Sequence, residues 1–182
     1  MNGIELLRRA KPLTANVGNL DLLGAVALLH APDEAPELGA FLLMGSAAVG
    51  GSVAGGTGVL LPISKRDSPE YISTQWKVLT HCVRSDGMAV IFHLTNHYAL
   101  VFATRERSTI STDGSATITR ELLTSKAGQA PKAWIPFAVA RRIMRGWSGY
   151  QMVVVMRAEK CETFATQTAE MAKERSHATP RV

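Results

Sequence analysis

Residues Met88–Arg105 read MAVIFHLTNHYALVFATR, and the reading of this stretch decides the fold. Two apolar runs flank Thr95–Asn96. Val, Ile, Phe and Tyr suit a pleated, half-buried surface, and Asn tolerates turn geometry. The spacing predicts a β-hairpin with a two-residue loop. In that register Leu94 faces His97, Phe92 faces Ala99 and Val90 faces Val101. The opposite face pairs His93 with Tyr98, Ile91 with Leu100 and Ala89 with Phe102. Both faces are apolar, so the hairpin belongs inside a layered domain. His97 is a titratable ring at the mouth of the second strand.

Upstream, Asp86–Gly87 turns the chain into the hairpin. Tyr71–Arg84 carries Ile72, Trp76, Leu79 and Val83 at helical spacing. Lys65–Pro69 is a polar linker. Leu38–Ser64 has no charged residue, and residues 38–61 are long enough to cross a membrane as a helix. Gly39, Gly45, Gly50, Gly51, Gly55, Gly56 and Gly58 crowd the run, and Pro62 closes it. Each glycine costs a helix about 1 kcal/mol. The expectation is a buried helix near Leu38–Val49 followed by a glycine loop, with no membrane span. AGGTG in that loop lacks the Gly-Lys-Ser/Thr ending of a phosphate cradle. Gly18–His30 is apolar almost all round, with Asp21 its only charge, and reads as a helix in the middle of a domain. Asn16 or Asn19 would cap it. Gly3–Ala10 is a short helix that Pro12 stops. The first residues lack the apolar core of a secretory signal.

Downstream, Glu106–Ser111 reads as a polar strand, and Asp113–Gly114 is a strong two-residue hairpin signal. Ala116–Leu123 is the return strand and Ser125–Lys132 a loop. Phe137, Ala140, Met144 and Trp147 form one stripe of a helix over Phe137–Trp147. Tyr150–Met156 is a last strand, buried on both faces by its Val run. Helices precede a run of antiparallel strands with one inserted helix, an α+β pattern. One domain over residues 1–157 is expected. Residues 158–182 form a polar tail, helical to about Lys173.

The chain has 182 residues, two cysteines and a net charge of +5. Two cysteines give neither a disulfide framework nor metal-finger spacing, and a reducing compartment is the simpler assumption. The positive charge suits an acidic partner such as nucleic acid, tubulin or another anionic surface. The basic residues are scattered, which also fits a solvated basic surface.

His97 is the sharp candidate for chemistry, as the base of a cysteine-nucleophile site, against a buried structural histidine. Zinc held by His81, Cys82, His93 and His97 is disfavoured, because the hairpin register turns His93 and His97 to opposite faces. Cys82 lies near the end of a helix, where the dipole raises a thiol's pKa. Trp134, Trp147 and Tyr150 fit core packing better than a stacking platform for bases. No metal or cofactor is expected.

Three pieces of the second half resemble the papain-like peptidase fold, in its bacteriocin-processing branch. Residues Asp86–Ile91 resemble the turn and strand before that family's active-site His. Residues Asn96–Val101 resemble its His-Tyr strand. Trp134–Phe137 and Gly146–Val154 resemble its closing helix and final strand. The likeness covers about Trp76–Met156. A more particular one is to the basic immunoglobulin-like variable motif-containing proteins, through Asn-His-Tyr-Ala and the Gln-x-Pro-x-x-Trp-Ile step at Gln129–Ile135. The resemblance implies an N-terminal central helix packed on an antiparallel sheet. It places Val17 where the nucleophilic Cys belongs, and valine cannot attack. The third triad member would be Asp113, which an Asp-Gly turn carries away from His97, or else Thr124 or Ser125.

The sequence therefore points to a catalytically inactive papain-like domain. It would be a structural or interaction component of a larger assembly with an acidic surface, such as a microtubule or a ribosome. A cytoplasmic or cytoskeletal location goes with that reading. The alternative is an active cysteine-dependent hydrolase or transferase, with His97 as base and Cys82 or a partner's group as nucleophile.

Overall fold

The structure is a computed structural model, and it describes residues 38–46, 59–94, 97–126, 130–146 and 150–173. Their elements run in the order β1 (Leu38–Ser46), β2 (Leu61–Ile63), α1 (Pro69–Arg84), β3 (Met88–Leu94), β4 (His97–Ile110), β5 (Ala116–Lys126), β6 (Ala133–Pro136), α2 (Phe137–Gly146), β7 (Gln151–Arg157), a 3-10 turn (Ala158–Lys160) and α3 (Cys161–Lys173). The seven strands form one sheet in the order β2-β1-β7-β3-β4-β5-β6. Neighbours are antiparallel except β1 and β2, which are parallel. The molecule is thus a mixed α and β fold built on a mostly antiparallel sheet.

The hairpin forms in the expected register. Leu94 pairs with His97, His93 with Tyr98, Phe92 with Ala99, Ile91 with Leu100 and Val90 with Val101. β7 lies on the other side of β3, so both central strands are buried on both faces. Val90, Phe92, Val101, Leu122, Met152, Val154 and Met156 share one core with the three helices. Trp76, Leu79 and Cys82 enter it from α1, Phe137, Ala140 and Met144 from α2, and Phe164 from α3. On the reverse face Leu42, Ala89, Ile91, Leu100, Val153 and Val155 are also buried.

Leu38–Ser46, the described part of the segment expected as a helix near Leu38–Val49, departs from that expectation. Residues Leu38–Ser46 are a strand between β2 and β7. A short apolar run reads equally as a buried helix or a buried strand, and partners decide. The register with β7 slips at Leu43, which lets consecutive Leu43 and Met44 both enter the helix-side core. The glycine loop and the predicted helices at Gly3–Ala10 and Gly18–His30 lie outside the described residues. Among the described residues, no helix is long and apolar enough to cross a membrane.

α1 begins as local chemistry dictates. The Ser68 hydroxyl accepts from the Tyr71 N–H at 3.2 Å, and Pro69 occupies the first turn, where its missing N–H costs nothing. Gly87 takes φ 73° in the expected turn after the helix. The polar strand expected at Glu106–Ser111 is the far half of β4, a single strand of 14 residues. Ser111–Ser115 connects it to β5, a longer loop than the two-residue turn expected, with Gly114 at φ 80°. β6 was not foreseen. The C-terminal helix is present as α3, but packing does not stop at residue 157. Phe164 is buried, with its ring 5.8 Å from that of Phe41.

Candidate functional site

The residues singled out by sequence do not converge. His97 is the first residue of β4, paired with Leu94. Its side chain lies outside the described residues, as do Val17 and the Ser125 side chain. Cys82 sits in the last turn of α1, fully buried, and burial pushes its thiol up to about 12. Such a thiol carries almost no thiolate at neutral pH and is a poor nucleophile. Cys82 is also badly placed. Three residues separate α1 from the start of β3, whereas His97 follows its far end. Seven strand residues span roughly 20 Å, which is no distance for a thiol and its base.

Asp113 stands farther off. It lies in the loop beyond β4, whose 14 residues begin at His97 and span roughly 45 Å. Its carboxylate accepts from the Ser115 N–H at 2.9 Å and the Ser115 hydroxyl at 2.7 Å. Those bonds lower its pKa, so Asp113 is a loop-closing anion. Thr124 is buried opposite Val101. His93 stacks on Tyr98 at 4.4 Å, with Tyr150 edge-on at 6.4 Å. Among the described residues no three His, Cys, Asp or Glu side chains converge on a metal position. Cys161 is half-buried and its thiol, raised by that burial, donates to the Arg157 carbonyl at 3.7 Å.

Two polar clusters that the sequence did not announce flank α1. The first ties its N-terminal half to α2 and β2. Arg141 Nη2 meets Asp67 Oδ2 at 2.6 Å and Arg141 Nε donates to Gln75 Oε1 at 2.9 Å. Gln75 Nε2 donates to the Pro62 carbonyl at 3.1 Å, and the Ser64 N–H to Asp67 at 2.9 Å. Burial lowers the Arg141 pKa, and the Asp67 charge opposes that effect. This cluster is saturated and its side chains are almost wholly buried, the mark of a structural clip.

The second cluster lines an open cleft of about 540 Å³ between α1 and the β4–β5 hairpin. Lys77, Thr80 and Arg84 border it from α1, and Thr104, Glu106 and Arg120 from the strands. Arg120 Nε binds Glu106 at 2.9 Å, and its Nη2 donates to the Ser73 hydroxyl at 3.1 Å. Arg105 points the other way, pairing with Glu121 at 2.7 Å and lying 3.8 Å over the Trp134 ring. In the sequence, Lys77, Thr80 and Arg84 are visible only as the polar stripe of a helix. Nothing local says that Arg120 will face them.

Comparison with protein-family models, curated proteins and solved structures found no match to this chain.

Proposed function

We propose that this chain is a papain-like domain without a working peptidase site, and that it serves as an interaction component of a larger assembly with an acidic surface. The reading is supported by the presence of an antiparallel hairpin, an inserted helix and a final strand in the stretches that carry the resemblance. Cys82 is buried with a raised pKa, and Asp113 stands a strand-length from His97.

The observation that carries the interaction role is the far end of the β4–β5 hairpin. On the α1-side face of this arm Ile118 pairs with Ser108 and Ile110 with Ala116, which makes the two isoleucines diagonal neighbours. They are 75% and 60% exposed for Ile110 and Ile118 respectively. A long hairpin that ends in an exposed apolar pair adds surface beyond what the core uses. The net charge of +5 favours an acidic partner, for which a microtubule lattice or a ribosome are the fitting kinds.

Gentle affinity purification of the tagged chain, followed by sizing, tests this. Co-elution in a large defined particle is the expected result. A lone folded monomer overturns it, as does a Cys82 thiol that reacts with an alkylating probe at neutral pH and loses that reactivity on His97→Ala.

A further inference from the structure

The cleft beside α1 has the composition of a binding site. Lys77 and Arg84 are exposed, and with Thr80 they occupy one stripe of the helix. Arg120 faces them from β5. Glu106 is the acid in this group, and Arg120 already holds it. The hydroxyl oxygens of Thr80 and Thr104 are buried in the wall with no hydrogen-bond partner among the described residues. Thr104 is only 9% exposed as a whole. Buried hydroxyls are ordinarily paired, so two unpaired ones beneath a row of cations mark a place where acceptors are missing.

We propose that this cleft binds an extended acidic peptide segment, whose carboxylates pair with Lys77, Arg84 and Arg120 and accept from Thr80 and Thr104. This rests on the reading of the chain as an interaction module for an acidic partner, and it names the chemistry of the contact. The seven-residue step from Lys77 to Arg84 is roughly 10 Å along the helix. Side chains on one face of an extended peptide repeat roughly every 7 Å, within reach of flexible Lys and Arg heads. Guanidinium and carboxylate planes match. A nucleic acid is the poorer ligand. Single strands bind by stacking bases on exposed rings, and Trp76, the ring at this cleft, is buried at 4% exposure.

The test is fluorescence anisotropy on the purified full chain, with labelled poly-glutamate peptide and, in parallel, a labelled single-stranded oligonucleotide. Poly-glutamate is expected to bind, more weakly as salt rises. Reversing both exposed cations, Lys77→Glu with Arg84→Glu, should weaken that binding by about tenfold or more. Glu106→Gln frees Arg120 and removes the competing carboxylate, so it should tighten binding by about threefold. A gain of affinity cannot come from a misfolded variant. Poly-glutamate that fails to bind, or binds the double variant as well as the parent, overturns the proposal. So does an oligonucleotide that binds more tightly and is lost in the double variant, which makes the cleft a nucleic-acid site. The wider reading fails separately. If the parent chain binds poly-glutamate through these residues yet elutes alone from extract, the assembly is wrong and the cleft stands. If the double variant binds poly-glutamate unchanged and still enters the particle, the cleft is wrong and the assembly stands.

Discussion

The two polar clusters on α1 use the same kinds of side chain to opposite ends. At the start of the helix, Arg141, Asp67 and Gln75 satisfy one another within 2.9 Å or through backbone carbonyls and N–H groups. Asp67 is wholly buried there and Arg141 nearly so. Further along, Lys77 and Arg84 reach into solvent over two threonine hydroxyls that have no partner among the described residues. A polar group inside a protein is stabilising when its bonds are made and costly when they are not. The saturated cluster therefore holds the fold, and the unsaturated one costs stability where a ligand can restore it. Removing a buried polar group should accordingly lower stability in the first cluster and raise it in the second.

The largest effect belongs to the clip. Arg141→Ala removes one member of a buried ion pair and strands Asp67 and Gln75 without water. The expected loss is about 3–5 kcal/mol, read as a fall in the urea midpoint with an unchanged slope. A loss under about 1 kcal/mol would place Arg141 among ordinary surface pairs and dissolve the contrast. Arg141→Lys comes next. Lysine keeps the charge but cannot present one donor to Asp67 and another, at a fixed angle, to Gln75. The Gln75 carbonyl is then left unpaired, and about 1–3 kcal/mol should be lost in the same measurement.

The clip also shows where the sequence stops speaking. Arg141 and Asp67 are 74 residues apart, and neither has a neighbour in the chain that marks it. The elements with a one-dimensional signature were legible. The alternation of Val90, Phe92 and Leu94 against Ile91 and His93 fixed the hairpin register, and the spacing of Trp76 and Leu79 fixed α1. The Val run of β7 announced burial on both faces. β1 had no such signature. It is apolar on both faces, so the period of two disappears, and the extra residue at Leu43 would break it in any case. Asp113 lies in the loop between β4 and β5, at the far end of β4 from His97. The cleft was invisible for a different reason. Its helix stripe looks solvated until β4 and β5 fold over it.

Thr104→Val sharpens the contrast from the other side. Valine has nearly the same shape, suits a strand and carries no polar atom. With an unpaired hydroxyl removed from the interior, the folded state should gain about 1 kcal/mol. The urea midpoint should rise while poly-glutamate binding weakens. This pairing of signs is diagnostic, because a threonine that merely supported the fold would lose stability on substitution. If Thr104→Val is destabilising by that amount instead, the hydroxyl has a partner in solution and the cleft is part of the structural network.

The smallest effect closes the comparison. Lys77→Ala and Arg84→Ala each remove an exposed cation from α1, and neither forms an ion pair among the described residues. Alanine is the stronger helix former, which gives back a few tenths of a kcal/mol. Arg84 also sits in the last turn, where its positive charge interacts favourably with the negative end of the helix dipole, so its removal costs a similar amount. The two terms nearly cancel, and stability should stay within about 0.5 kcal/mol of the parent for both variants. Binding of poly-glutamate should nevertheless fall in both. Affinity that moves while the urea midpoint does not is the behaviour of residues placed for a partner. If the midpoint moves with the affinity, these cations serve the helix, and the difference between the two halves of α1 is one of solvent exposure alone.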